Sequence, residues 1–288
     1  MSNLIQRKES ARYPGFFVKK YTRKVFYDAL WDTHADLMEA RGHVEDADGN
    51  VVVRPFTKIF NRGEMGTDID PNEEVLCIDK INGFMASATW IPALEQVVVS
   101  TTGSLDSDYI QYIECYVTHR VKSVIEFLTA NEPATFLFEI CHPDDPHIIR
   151  EEHGAYLIGC RYVNSNAPYF STVDKEMWLD TVARDMGVSR PKWKVCKFSE
   201  VVDSVASCNH EGFVVYGQTS NTVLKIKSPH YLTLKAVARI KDISTLDKRR
   251  VDEEYFDLID HLKQIAVQFN SMTEQERLEY VVNQILYR

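Results

Sequence analysis

The sequence predicts an α+β domain of mainly antiparallel sheets with flanking helices, followed by a short helical extension. Three observations carry that expectation. Residues 38–103 alternate apolar and polar positions with a period of two and are cut by turn residues. Residues 106–131 and 172–186 instead repeat apolar side chains at helical spacing. Nothing after Lys235 alternates like a strand, and the last fifth of the chain is helical in pattern.

The elements follow in order. "LMEARGHVEDADGNVVVRPFTKIFN" predicts a hairpin whose turn runs from Asp46 to Asn50. "EEVLCIDKINGFMASATWIPALEQVVVSTTGSL" predicts three further strands, with turns near Asn82-Gly83 and Pro92. Asn-Gly between two apolar runs is the usual signal of a tight hairpin, which would put Lys80 at its mouth. Residues 106–131 place Tyr109, Ile113, Tyr116, Val117, Val121, Val124 and Leu128 at helical spacing. Two strands follow, "TFLFEIC" and "AYLIGCRYV". A helix from about Thr172 to Met186 is stopped by Gly187. "KWKVCKF" is a short strand, and Ser199 opens a helix through Ala206. "EGFVVYG" and "TVLKIKSPHYLTLK" both read as strands. "DEEYFDLIDHLKQIAVQF" and "TEQERLEYVVNQILYR" read as helices, the second opened by a capping box of Thr273 and Glu276.

Composition narrows the function. The 288 residues are 44% hydrophobic and 26% charged, ordinary values for a globular protein. No apolar run approaches the ~20 residues that span a bilayer, and the N-terminus lacks a signal-peptide core, so a cytoplasmic protein without a membrane partner is expected. The six cysteines include no CxxC pair and the nine histidines no HxxxH with acidic companions, which argues against a disulfide framework or a zinc enzyme. The net charge of −9 hides two basic stretches: residues 1–30 carry seven Lys/Arg against two acids, and residues 184–250 carry thirteen against six. Local clusters of this kind decide where an anion binds, although solvated faces look the same in sequence.

Several charged residues stand where apolar neighbours would hold them in place. Lys80 ends a strand in "CIDKING", and Glu139 lies between Phe138 and Ile140. Glu211 opens "EGFVVYG". Lys225 and Lys227 are two apart, so both ammonium groups face one side of a strand while Leu224 and Ile226 face the other. Arg41 and Lys58 lie upstream in "ARG" and "FTKIFN". A KxxG alone is expected about once by chance in a chain of this length. A solvated charge is the plain alternative for each.

The ordered set Arg41-Gly42, "KIFN", "KING", "FLFEI" with a proline shortly after, "AYLIGCR", "EGFVV" and "LKIKSPHY" resembles the nucleotidyltransferase motifs of the covalent-lysine ligase and capping-enzyme superfamily. More narrowly it is similar to the ATP-dependent RNA ligases of T-even bacteriophages that repair tRNA, over roughly residues 35 to 235. The resemblance implies an ATP-grasp-like adenylation domain over residues 1–238 and a helical extension over 239–288. It implies an RNA ligase that joins 5′-phosphate to 3′-hydroxyl ends through lysyl-AMP and RNA-adenylate, using ATP and Mg2+ or Mn2+. Its RNA would include broken tRNA, prepared by an end-processing kinase or phosphatase. Lys80 is then the nucleophile, and Lys225 and Lys227 bind the α-phosphate. Lys225, Lys227 and a metal would also depress the Lys80 pKa. Glu139 contacts the sugar, Glu211 holds the metal, and Arg41 and Lys58 bind the nucleotide or its pyrophosphate. Gly83 allows a tight turn behind the lysine. Phe60 is a candidate for the nucleotide pocket, and Tyr231 matches a tyrosine after the lysine pair; a core role suits both.

Two departures qualify the resemblance. Asn82 stands where the phage enzymes carry aspartate, which removes a charge from the metal's neighbourhood. The helical tail is shorter than a tRNA-specific domain; Glu253, Glu254 and Asp257 are its candidate metal partners. The alternatives are a DNA ligase or capping-type nucleotidyltransferase, which would continue into an OB-fold, and a non-catalytic module that binds RNA ends.

Overall fold

In the computed structural model, which describes residues 4–247 and 256–286, the chain forms three sheets with helices on their outer faces. In chain order the strands are β1 (Ile5–Glu9), β2 (Phe17–Tyr21), β3 (Arg41–Glu45), β4 (Val51–Val53), β5 (Phe60–Asn61), β6 (Glu74–Asp79) and β7 (Phe84–Ile91). They continue as β8 (Gln96–Thr101), β9 (Ala134–Cys141), β10 (Gly154–Tyr162), β11 (Trp193–Lys197), β12 (Gly212–Gly217) and β13 (Val223–Lys227). The helices are α1 (Arg23–Tyr27), α2 (Asp36–Glu39), α3 (Tyr109–Tyr116), α4 (His119–Thr129), α5 (Val173–Met186) and α6 (Phe198–Ala206). After β13 come α7 (Pro229–Arg239) and then the tail helices α8 (Phe256–Gln264), α9 (Ala266–Ser271) and α10 (Glu274–Leu286). None of the described helices is long and apolar enough to cross a membrane.

The N-terminal sheet has the order β1-β2-β3-β4, the second β10-β9-β7-β8 and the third β11-β6-β12-β13-β5. All pairings are antiparallel except β13 with β5. The second and third sheets share an apolar layer in which Leu76, Ile78 and Tyr216 meet Leu137 and Phe56. The far face of the second sheet is covered by α3, α4 and α5, through Ile113, Ile125 and Leu179. The far face of the third is covered by α6, through Phe198 and Val201. Alternation decides the sides: Leu224 and Ile226 bury in that last layer, which turns Lys225 and Lys227 the other way.

Three expectations are corrected, and one region gains structure that was not foreseen. Asn82-Gly83 does not close a hairpin, because β6 pairs with β11 and β12 whereas β7 pairs with β8 and β9. Residues 80–83 are therefore the crossing between two sheets. The helix over 106–131 breaks at Val117-Thr118, where the backbone leaves helical geometry and α4 restarts. "TVLKIKSPHYLTLK" is strand only as far as Lys227; Ser228 then caps α7 by accepting the Tyr231 N–H, with Pro229 at the first helical position. The N-terminal residues, read only as a basic stretch, supply β1, β2 and α1.

The tail helices pack against α7, with Leu258, Leu262 and Phe269 meeting its Tyr231, Leu234 and Val237. Glu253 and Glu254 lie outside the described residues, and Asp257 is exposed at the start of α8. Cys77, Cys141 and Cys160 are buried, and burial pushes each thiol up to about 12, so these three act as small apolar side chains; Cys115 is exposed.

Candidate active site

A cavity of about 410 Å³ opens between the second and third sheets. Seven of the nine sequence-chosen residues line it: Arg41, Lys80, Gly83, Glu139, Glu211, Lys225 and Lys227. They come from β3, the 80–83 crossing, β9, the residue just before β12, and β13.

Lys80 is fixed at both ends. Its backbone N–H donates to the Gly212 carbonyl at 2.8 Å, and its Nζ donates to Glu211 Oε2 at 2.8 Å. Burial disfavours the ammonium, but the Glu139 and Glu211 carboxylates outweigh that penalty and hold Lys80 above the ordinary lysine range. This reverses the expected depression of the nucleophile: among protein groups alone, the carboxylates dominate Lys80. The lowered lysine is Lys225, brought to about 7 by burial and by Arg41, Lys58, Lys80 and Lys227 around it.

The carboxylates differ. Glu211 would be raised by burial, but Lys80, Lys227 and the Asn82 amide hold it below the usual range, with Lys227 Nζ at 3.4 Å from Oε1. Glu139 is raised, because its burial exceeds the pull of Lys80 and Glu211 lies nearby; its Oε1 accepts the Gly83 N–H at 3.2 Å.

Asn82 has a definite role. Its Oδ1 accepts the Ile149 N–H at 2.8 Å, and its Nδ2 donates to Glu211 Oε2 at 2.7 Å. A backbone N–H can only donate, so the amide can be oriented one way only, with its NH2 towards Glu211. At this position the amide is a donor that orients Glu211 and joins the crossing to the segment after β9.

Gly83 is needed for space, and its φ is not positive. A Cβ there would lie 2.3 Å from the Ile140 carbonyl oxygen. Gly83→Ala is expected to cost about 1–3 kcal/mol by forcing the two backbones apart, measured as a drop in the urea midpoint. Gly212 is constrained similarly: its φ is +127° and a Cβ would meet the Ile226 carbonyl oxygen at 2.1 Å.

Two expected residues stand outside the cavity wall. Lys58 Nζ pairs with Glu64 at 2.8 Å and lies 4.2 Å from the Phe60 ring centre, although its charge still reaches Lys225. Phe60 packs edge-on against Trp31 in a separate apolar cluster. Tyr231 is buried, with Lys227 Nζ 5.0 Å from its ring centre. The apolar wall instead comes from Phe56, Phe84, Met85, Ile158 and Tyr216, which the sequence reading did not select. Phe84 directly follows "KING", and its position was the one available signal.

Lys225 creates a pH signature. Between pH ~7 and ~10.5 the unfolded chain binds a proton there that the folded chain does not, so this residue makes stability rise with pH across that window; below pH ~7 its cost is constant. Lys225→Met is expected to stabilise the nucleotide-free protein at pH 7 by about 1–4 kcal/mol, with a smaller gain at pH 10. Chemical unfolding at the two pH values measures this.

With the geometry described, comparison with known proteins gives the following. Residues 39–235 match the family described as RNA ligase. No curated protein sequence matches. An archaeal ATP-dependent RNA ligase, form 1, superimposes with a TM-score of 0.61 at 15% identity, over 95% of this chain and 75% of that one. A protein of Aquifex aeolicus described as a putative ATP-dependent DNA ligase gives 0.53 at 12% identity, over 99% and 75%. An RNA ligase mutant of Naegleria gruberi, solved with ATP and Mn, gives 0.50 at 12% identity, over 62% and 56%. At these identities the likeness is one of fold.

Proposed function

The chain belongs to the RNA ligase family, and from that premise we propose that it uses ATP to seal 5′-phosphate and 3′-hydroxyl RNA ends through a lysyl-AMP and then an RNA-adenylate. The observation that carries this reading is Lys80, an amine in a 410 Å³ cavity that Glu139, Glu211, Lys225 and Lys227 also line. Lys80 Nζ bonds to the α-phosphorus as the bond to pyrophosphate breaks. A 5′-phosphate oxygen then takes the AMP and frees Lys80. The 3′-hydroxyl finally attacks that 5′-phosphate and AMP leaves. Positioning and charge neutralisation do most of the work in such transfers.

The protein groups divide these tasks. Lys225 and Lys227 face the phosphates, and Arg41 and Lys58 supply further positive charge towards the outgoing pyrophosphate. Glu139 faces the sugar, and Phe84, Phe56 and Tyr216 offer apolar surface to the base. Glu211, which Lys80 and Lys227 hold in its charged form, is the carboxylate that would hold a divalent cation, and the cation would neutralise phosphate charge. Any cation added near Glu139 and Glu211 also weakens their hold on the Lys80 proton, which favours the neutral amine that attacks.

The adenylation domain spans 1–238 and the helical extension 239–288, with the boundary at the end of α7. Broken tRNA is one proposed substrate, a kinase or phosphatase that prepares ends is the proposed partner, and the cytoplasm is the proposed location. The test is incubation with α-labelled ATP or GTP and Mg2+ or Mn2+ on a denaturing gel, then sealing assays on a 5′-phosphate RNA and a nicked DNA duplex. Label from ATP and closure of the RNA support the reading. Label from GTP alone, or closure of DNA alone, overturns it.

A further inference from the structure

We propose that single-stranded RNA leaves the cavity over the N-terminal sheet, its phosphates following Lys20 and Arg23 and its bases stacking on the exposed pair Phe26 and Tyr27. The proposal rests on the RNA-ligase reading above and concerns residues that precede the family match, which begins at 39.

Lys20 connects this face to the cavity. It stands opposite Arg41 in the β2–β3 register, and Arg41 lines the cavity. Its Nζ lies 3.1 Å from where a Cβ on Gly103 would sit, and the adjacent Thr102 also lines the cavity. β2 ends at Tyr21 and α1 begins at Arg23, so the strand runs on directly into the helix that carries the aromatics.

The chemistry of this face suits a polyanion with exposed bases. Phe26 is 54% and Tyr27 75% exposed, and their rings meet edge to face at 5.6 Å. Val25 anchors the helix by packing with Trp31 and Leu37, which leaves the two aromatics turned away from the core. Arg12, Lys19 and Lys24 are neutralised by Glu114, Glu45 and Asp28. Lys20 and Arg23 are in no ion pair among the described residues, in a chain whose first 30 residues carry seven cations against two acids while the whole is −9. Cations beside sequence-tolerant aromatic platforms are the usual means of holding an unpaired strand.

The experiment uses the full chain, with and without Phe26→Ser/Tyr27→Ser. It measures AMP labelling, anisotropy of a fluorescent 20-nucleotide single-stranded RNA at several salt concentrations, and sedimentation mass. The double variant is expected to keep labelling within about twofold and to weaken RNA binding by about tenfold or more. Lys20→Gln/Arg23→Gln is expected to lower the slope of log affinity against log salt by about 0.7 for each phosphate that the variant no longer neutralises. Unchanged RNA affinity in both variants overturns the proposal. If the aromatic variant then also converts a self-associating wild type to monomer, the pair is a contact between copies of the chain. Because RNA binding is read without ATP, absence of AMP label in the wild type counts against the ligase reading separately.

Discussion

Lys80→Ala is expected to reduce AMP labelling from α-labelled ATP by a factor on the order of 10³ or more, because it removes the amine proposed to form the covalent bond. Lys225 and Lys227 line the same cavity from β13, where the task proposed for both is to hold the phosphates. Covalent label that survives in Lys80→Ala would defeat the assignment. The same substitution leaves Glu139 and Glu211 buried without the ammonium that both lean on. Removing one partner of a buried ion pair typically costs about 3–5 kcal/mol, and Lys227 and Asn82 still serve Glu211, so a loss near the lower end is expected in urea titration. A labelling defect without any stability change would show that the carboxylates do not depend on Lys80.

Asn82→Asp is expected to destabilise the nucleotide-free protein by about 1–3 kcal/mol. One carboxylate oxygen can keep the Ile149 N–H, but the other would then face Glu211 Oε2 at the 2.7 Å now spanned by an N–H donor. Two carboxylates at that distance do not both stay ionised, so one takes up a proton and its pKa rises. The deficit is therefore largest near about pH 8 and shrinks toward about pH 5 as the shared proton binds. Melting curves across that range, with and without Mg2+, test it. Equal stability at all pH values would mean that the Asn82–Glu211 contact carries no weight.

Much of the site was legible because chemistry and periodicity agreed. The two-residue spacing of Lys225 and Lys227 required them to share a face, and the buried Leu224 and Ile226 settled which one. Glu139 between two apolar neighbours pointed the same way. What sequence obscured was long-range. Asn82-Gly83 has the composition of a tight turn, yet the glycine answers to the Ile140 carbonyl, 57 residues away in the chain. Phe60 suited either a pocket or a core role by its place in "KIFN", and the cluster of Trp31 and Leu37 claims it for the core. The Ser228-Pro229 helix start carried a local signal that the alternating lysines overshadowed.

The crossing at residues 80–83 has a mechanical meaning. Lys80 leaves the third sheet, Glu211 opens a strand of that same sheet, and Glu139 belongs to the second. The negative charge that governs the amine is thus divided between two layers, held at their separation by Leu76, Ile78, Leu137 and Tyr216. A change in that separation would move Glu139 relative to the ammonium, so the apolar filling between the sheets sets how much negative charge Lys80 meets, as the spacer of a capacitor does.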